Sequence, residues 1–230
     1  MIQKVRKGEE LDGVNIKSYL YKNQFISNTN SELIVEQFSN GFSNLTYLLK
    51  IEKKELVLRC PPNGAVKYGH DMNREFKVLK GLNKGFEKAP KAYLFTNDVS
   101  IIGAPFYIME KIEGIILSRK EANNRDISAE EYQKIAYHWL DTFVELHELD
   151  FKKIGLEDLG KPDGYVERQV KNWSKQYLRA ATEQIPESYK IMEWLEKNQP
   201  SKYSYSLIHN DYKYDNIVFK DNSWKEIKAI

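Results

Sequence analysis

The 230-residue chain is long enough to bury a substantial core, and its 41% hydrophobic and 30% charged residues exclude a disordered polar tract. Basic residues number 35 and acidic residues 33, a net charge of +2, so nothing global points to nucleic acid or to an anionic membrane surface as a partner. Cys60 is the only cysteine, which excludes an internal disulfide and a zinc cluster; with the polar start at residues 1–10, it leads to the expectation of a cytoplasmic protein with no membrane span.

Residues 11–21 set Leu11, Val14, Ile16, Tyr19 and Leu20 at an imperfect helical spacing and predict a short helix that braces the segments after it. Three strands are predicted next, over 33–38, 45–51 and 55–59, the last two joined by the polar turn 52–54. The first two are joined by Ser39, Asn40, Gly41, Phe42, Ser43 and Asn44. This loop reads either as an ordinary hairpin connection or as one that lays backbone N–H groups over nucleotide phosphates, with Gly41 allowing close approach. Arg59 ends the third strand, and Pro61 and Pro62 open a connection that runs through Gly69. Over 71–82, Met72, Phe76, Leu79 and Leu82 share one helical face with Asp71 as the cap; Glu75 lies beside that face as the natural partner for Arg59.

Strands over 91–96 and 106–112 come next, and after Gly114 strand character stops until Leu207. A lobe boundary is therefore expected near residue 112, with a strand-rich domain over 1–112 and a mainly helical one over 113–230. The clearest helix, 132–149, keeps Tyr132, Ile135, Ala136, Trp139, Leu140, Phe143 and Leu146 in register; its His138 and His147 are read as structural. A second, over 164–181, carries an apolar stripe of Val166, Val170, Trp173 and Tyr177, read as core. Opposite it, Arg168, Lys171, Lys175 and Arg179 form a basic stripe that is either a solvated face or the border of a pocket for an anionic substrate.

The densest chemistry lies in 206–219: an apolar lead-in, the polar loop His209-Asn210-Asp211-Tyr212-Lys213-Tyr214-Asp215-Asn216, then an apolar run with strand character. An Asp, a Lys two residues on and an Asn five residues on supply what phosphoryl transfer from a nucleotide needs at one point. These are a carboxylate for the acceptor hydroxyl, a cation for the moving group and an amide oxygen for Mg²⁺. His-x-Asp with Asn five residues after the Asp has the offsets of a kinase catalytic loop. In that reading Asp211 is the base, Lys213 a phosphate contact and Asn216 the metal ligand. Arg59 stands where a kinase strand carries its phosphate-holding Lys, Glu75 is its helix partner, and the backbone from Glu110 to Ile112 meets the adenine edge. Arg in place of Lys is a departure, being planar, permanently charged and bidentate.

Together these features resemble the aminoglycoside phosphotransferase and choline kinase superfamily. Leu58-Arg59-Cys60-Pro61-Pro62-Asn63-Gly64, His70-Asp71-Met72-Asn73-Arg74-Glu75-Phe76, and Lys161-Pro162-Asp163-Gly164-Tyr165 through Trp173-Ser174-Lys175-Gln176-Tyr177 are similar to the branch whose kinase-like domains occur alone or fused to acyl-CoA dehydrogenases. The resemblance runs from about Leu33 to Ile230. It implies an α+β, two-lobed protein-kinase-like fold, ATP and Mg²⁺ as cofactors, and a small hydroxylated acceptor, anionic if the basic stripe borders its pocket. It carries over Asp211 as base, Asn216 as Mg²⁺ ligand, the Ser39 to Asn44 loop and Arg59 for phosphates, and Glu75 as partner; the branch accommodates Arg at position 59. A second metal-binding Asp should come after the strand 224–230, where the chain stops, so the chain as given is expected to be a poor catalyst. Two alternatives stay open: a nucleotide-binding module without catalysis, and an aminoglycoside kinase, against which the basic stripe counts.

Overall fold

Alternation of apolar residues along the strands decides how the first half of the chain folds. The structure, a computed structural model, describes residues 2–39, 44–62, 64 and 71–230. Strands β1 (Ile2–Gln3), β2 (Ile34–Phe38), β3 (Leu45–Ile51), β4 (Lys54–Cys60), β5 (Ala92–Thr96) and β6 (Phe106–Glu110) form one antiparallel sheet in the order β1-β2-β3-β4-β6-β5. Leu45 pairs with Cys60, Tyr47 with Leu58, and Leu58 with Ile108, so these side chains share one face. Helix α1 (Gly13–Lys22) covers that face, with Ile16 and Leu20 fully buried against Tyr47, Leu49, Leu58, Phe106 and Ile108. Each such large apolar side chain contributes about 1.5–3 kcal/mol. A slip of one residue would turn the whole set out, so the register is strongly specified.

The opposite face belongs to α2 (Met72–Leu82), capped by Asp71, whose carboxylate accepts from the Arg74 N–H at 2.9 Å. Phe76 stacks on Phe95 at 5.7 Å and leans on Tyr107 at 6.3 Å. Because pairing opposes Thr46 to Arg59 and Arg59 to Tyr107, the sheet presents Arg59 and Tyr107 to this helix.

The β3–β4 hairpin turns through Glu52 and Lys53, both with positive φ (46° and 62°), a type of turn usually given to Asn-Gly. Glu52 has other work. Its carboxylate accepts from the Ser27 N–H (2.8 Å), the Asn28 N–H (2.9 Å) and the Ser31 hydroxyl (2.8 Å), tying the segment after α1 to the hairpin. Those bonds to Ser27, Ser31 and Asn28 hold its pKa down, to about 2. The folded value lies below the ordinary one, so the stabilisation is complete above about pH 5 and is lost as pH falls toward 2. Glu52→Ala is expected to lower the melting temperature at pH 7, with the gap to wild type closing between pH 4 and 2 in thermal scans. A constant gap across that range would show that the carboxylate charge is not responsible.

The second half is built from β7 (Ile115–Ile116), α3 (Arg119–Asn123), α4 (Ala129–His147), α5 (Tyr165–Ala180), α6 (Pro186–Lys197), a 3₁₀ turn (Tyr214–Asn216), β8 (Val218–Phe219) and β9 (Ile227–Ala229). Strands β7, β8 and β9 form a small antiparallel sheet in that order. Its side chains Phe219 and Ile227 pack with Leu117, Ile135, Ile217 and Trp224 in one core. Ser128 and Glu131 make a capping box that starts α4. A further apolar cluster, Leu82, Phe86 and Ala89 with Leu146, Ile154 and Leu156, fastens the end of α2 to the α4 region. Among the described residues, no helix is long and apolar enough to cross a membrane.

Gly114 lies where the chain leaves the first sheet and meets β8. A Cβ there would stand well inside van der Waals contact distance of the Phe219 carbonyl oxygen and 2.6 Å from Val218 Cγ1. Backbone cannot yield as a side-chain tip can, so Gly114→Ala is expected to cost about 1–3 kcal/mol. A urea denaturation midpoint equal to that of wild type would refute this packing.

Several elements differ from the sequence expectation. Strand pairing resumes at β7, although strand character was expected to stop after Gly114; two residues are too few for a period to register. Residues 206–208 lead into the loop without pairing, and strand appears only at β8. Helices α3 and α6 were not anticipated; Pro186 at the first turn of α6 and Ser118 capping α3 were the available signals. The apolar stripe of α5 is not core. None of its residues is buried, and Trp173 is 65% exposed; among the described elements α6 is the main one packed beside it.

Candidate functional site

Two groups of side chains gather the residues singled out in the sequence. In the first, Glu75 on α2 faces the sheet. Its Oε1 accepts from the Asn44 amide at 2.8 Å, and its Oε2 accepts from the Tyr107 hydroxyl at 2.9 Å. Arg59 Nε lies 3.1 Å from the same Oε2, so the anticipated ion pair is formed. The contact is out of line, however, and Nε is buried without a hydrogen-bond partner among the described residues. Burial, and after it the neighbouring Glu75, push the Tyr107 phenol far above its usual pKa, against the lowering effect of Arg59. Tyr107 therefore stays a neutral donor.

Of the 39–44 loop, Asn40, Gly41, Phe42 and Ser43 lie outside the described residues, as do Asn63 and residues 65–70 of the connection after β4. Ser39 is half-buried at the end of β2, and Asn44 is buried with its side-chain amide on Glu75. At the other end of the sheet, the Glu110 N–H donates to the Lys91 carbonyl at 2.9 Å, so it is spent within the fold. Ile112 lies two residues on, half-buried.

The second group is the 209–217 loop. Asn210 adopts φ 66°, a left-handed conformation that Asn tolerates, and reverses the chain so that Asp211 is exposed. Tyr212 turns inward. Its hydroxyl donates to the Trp139 carbonyl at 2.8 Å, and its ring packs on Trp139 and Phe143 at 4.7 and 5.2 Å. Ile217 and Phe219 are fully buried and anchor the exit. Between these anchors Lys213 Nζ lies 3.0 Å from Asp211 Oδ2, and the Asn216 amide donates to both the Asp211 carboxylate and its backbone carbonyl at 2.9 Å. The structure thus brings Asp211, Lys213 and Asn216 into direct contact. Lys213 first, and Asn216 after it, hold the Asp211 carboxyl below the usual carboxylate range. The His209 Nδ1 accepts from the Asp211 N–H at 3.3 Å, and burial pushes its pKa down.

A cavity of about 320 Å³ lies nearby, with Arg74, Glu157, Lys161, Tyr165, Tyr205 and Asn210 among its lining; Arg74 and Asn210 are the chain neighbours of Glu75 and Asp211, which do not themselves line it. The basic stripe of α5 is exposed, and Arg168 folds back to donate to the carbonyls of Lys161 and Asp163. Sequence reasoning missed Tyr107 and Tyr212. Tyr107 reaches the site only through the β4–β6 register, which has no local signature; Tyr212 was legible as the one large ring of its loop placed between Asp211 and Lys213.

The Asn216 amide nitrogen is engaged by Asp211, which leaves Oδ1 as an acceptor for a cation, beside the Asp211 carboxylate. Among the described residues no group of three His, Cys, Asp or Glu side chains could cage a metal. Oxygen donors few in number suit Mg²⁺, which dehydrates reluctantly and is shared with substrate phosphates, and do not suit zinc.

The sequence profile of the phosphotransferase enzyme family matches residues 34–225. The chain is 35% identical over 227 residues to human acyl-CoA dehydrogenase family member 11, a match over 96% of this chain and 29% of that protein. It therefore spans less than a third of the length of this relative. A Ralstonia eutropha protein assigned to the aminoglycoside phosphotransferases superposes with a TM-score of 0.80 at 30% identity, over 96% of this chain and 64% of that one. An aminoglycoside phosphotransferase in ternary complex with streptomycin and ATP shares the fold, with a TM-score of 0.57 at 20% identity over 93% and 71% of the two chains.

Proposed function

The chain belongs to the phosphotransferase enzyme family, and on that premise we propose that it is an ATP- and Mg²⁺-dependent small-molecule kinase module. It transfers the γ-phosphoryl group to a hydroxyl. The observation that carries this reading is the contact of Asp211 with both Lys213 and Asn216 on a loop braced by buried side chains. Residues 1–112 form the nucleotide side of the site and residues 113–230 the acceptor side.

The acceptor oxygen bonds to the γ-phosphorus as the bond to the β–γ bridging oxygen breaks; ADP leaves, and the hydroxyl proton passes by way of Asp211 to solvent. An Asp kept ionised by Lys213 is a weak proton sink, so its main contribution is to accept the hydroxyl's hydrogen bond and aim its lone pair. Arg59, held by Glu75, binds the α- and β-phosphates. Asn216 and the Asp211 side of the loop would hold Mg²⁺, which when bound neutralises charge on the β- and γ-phosphates. Arg74 and Lys161 outnumber Glu157 on the cavity wall and favour a hydroxylated acceptor that carries negative charge.

Incubating the intact protein with Mg²⁺, γ-labelled ATP and a panel of hydroxylated small molecules, including hydroxy acids and aminoglycosides, tests this reading. Transfer of label to a hydroxy acid is expected, with a rise in melting temperature on adding ATP. Absence of both stabilisation and transfer would overturn it. One feature favours a second reading, a nucleotide-binding module without turnover: Arg59 in the place of an ammonium. Stabilisation by ATP without any transfer would select that module.

A further inference from the structure

We propose that Tyr107 is a positioning residue of the nucleotide site: with Asn44 it holds the Glu75 carboxylate in place, so that Arg59 is held by its Nε edge and keeps its terminal nitrogens for phosphate. This rests on the nucleotide reading above.

Glu75 receives two aligned hydrogen bonds from neutral donors, Asn44 on Oε1 at 2.8 Å and Tyr107 on Oε2 at 2.9 Å. The Arg59 contact is the one out of line, with Nε left without a hydrogen-bond partner among the described residues. The carboxylate is therefore placed by Tyr107 and Asn44, and the guanidinium takes what remains. Chemistry explains the need. An ammonium with three rotatable donors aligns itself to any nearby carboxylate, whereas a planar guanidinium presents its donors in a rigid fork and depends on where the carboxylate is held. A guanidinium met by its carboxylate at Nε has the fork of its two terminal nitrogens directed elsewhere, and a fork of that kind suits bidentate phosphate contact.

Tyr107 cannot drift from this role. It is 3% exposed, it pairs directly opposite Arg59 across β4 and β6, and the Phe76 ring leans on it from α2. Asn44 lies just before β3 and is equally buried. One carboxylate thereby joins the end of the 39–44 loop, two neighbouring strands and the helix.

The test is Tyr107→Phe in the intact protein, which keeps the ring and removes only the hydroxyl, with dissociation constants measured for ATP and for adenosine. Loss of a hydrogen bond to a charged group is expected to weaken ATP about tenfold or more while adenosine binding stays within about twofold. General loosening would move both. In an Arg59→Lys background, where the cation aligns itself, the same change should cost under about threefold. Should Tyr107→Phe fold poorly, the Arg59 Nε–H signal of wild type, assigned by its loss in Arg59→Lys, supplies the second measurement: exchange with solvent slower than for surface arginines is expected. An unchanged ATP-to-adenosine ratio, or an Nε–H that exchanges like a surface arginine, overturns the proposal and leaves the kinase reading intact. Wild type that binds no nucleotide overturns both.

Discussion

Asp211→Ala in the intact protein is expected to lower turnover by about a thousandfold while leaving the dissociation constant for Mg²⁺-ATP within about fivefold. The size reflects what the carboxylate does. In the proposed reaction it accepts the hydrogen bond of the acceptor's hydroxyl and sets its lone pair toward phosphorus, and positioning together with proton acceptance accounts for about two to four powers of ten. The fold should be indifferent to the change, because Asp211 is exposed and the loop is held by Tyr212, Ile217 and Phe219. Equal melting temperatures with collapsed turnover would therefore separate a chemical role from a structural one. Turnover that survives the substitution would remove Asp211 from the reaction, and with it the geometric case built on Lys213 and Asn216.

Arg59→Met should act on the other substrate. If, as proposed, the Arg59 guanidinium engages the phosphates through two charge-assisted hydrogen bonds, removing it weakens ATP by about a hundredfold, measured by calorimetric titration, with adenosine little affected. Stability should move far less. The Arg59–Glu75 pair is about one-third exposed on both sides, so screening keeps its worth near about 1 kcal/mol, and Glu75 retains its bonds from Asn44 and Tyr107. The two variants thus divide the site: one loses turnover and keeps nucleotide, the other loses nucleotide through its phosphates. A protein in which Arg59→Met binds ATP as well as wild type would have to hold the phosphates with other cations.

Much of this site could be read before any coordinates. The Asp211, Lys213 and Asn216 spacing survives folding as contact because all three lie on one short loop, where sequence distance limits spatial distance. The Arg59–Glu75 pair was legible for a related reason: a strand end and the first turn of the next helix have few ways to meet once each has buried its apolar face. Tyr107 was illegible because its place beside Arg59 comes from the pairing of β4 with β6, strands distant in the chain whose register is a property of the whole sheet.

The same division runs through the fold. Period specified α1 and α4, period with the Asp71 cap specified α2, and apolar runs between turn signals specified β3 and β4, since local sterics and the need to bury one face act on neighbouring residues. The stripe on α5 shows the limit: its spacing is helical, yet whether Trp173 is covered depends on what packs against it, and packing chiefly against α6 leaves it 65% exposed. Sequence thus carried the elements and the loop chemistry of this protein. Tertiary structure alone decided that Tyr107 and Asn44 share Glu75 with Arg59, that Gly114 must touch β8, and that Glu52 ties its hairpin to the segment after α1. Each is a contact between residues that only the packing of distant segments brings within hydrogen-bonding or van der Waals range.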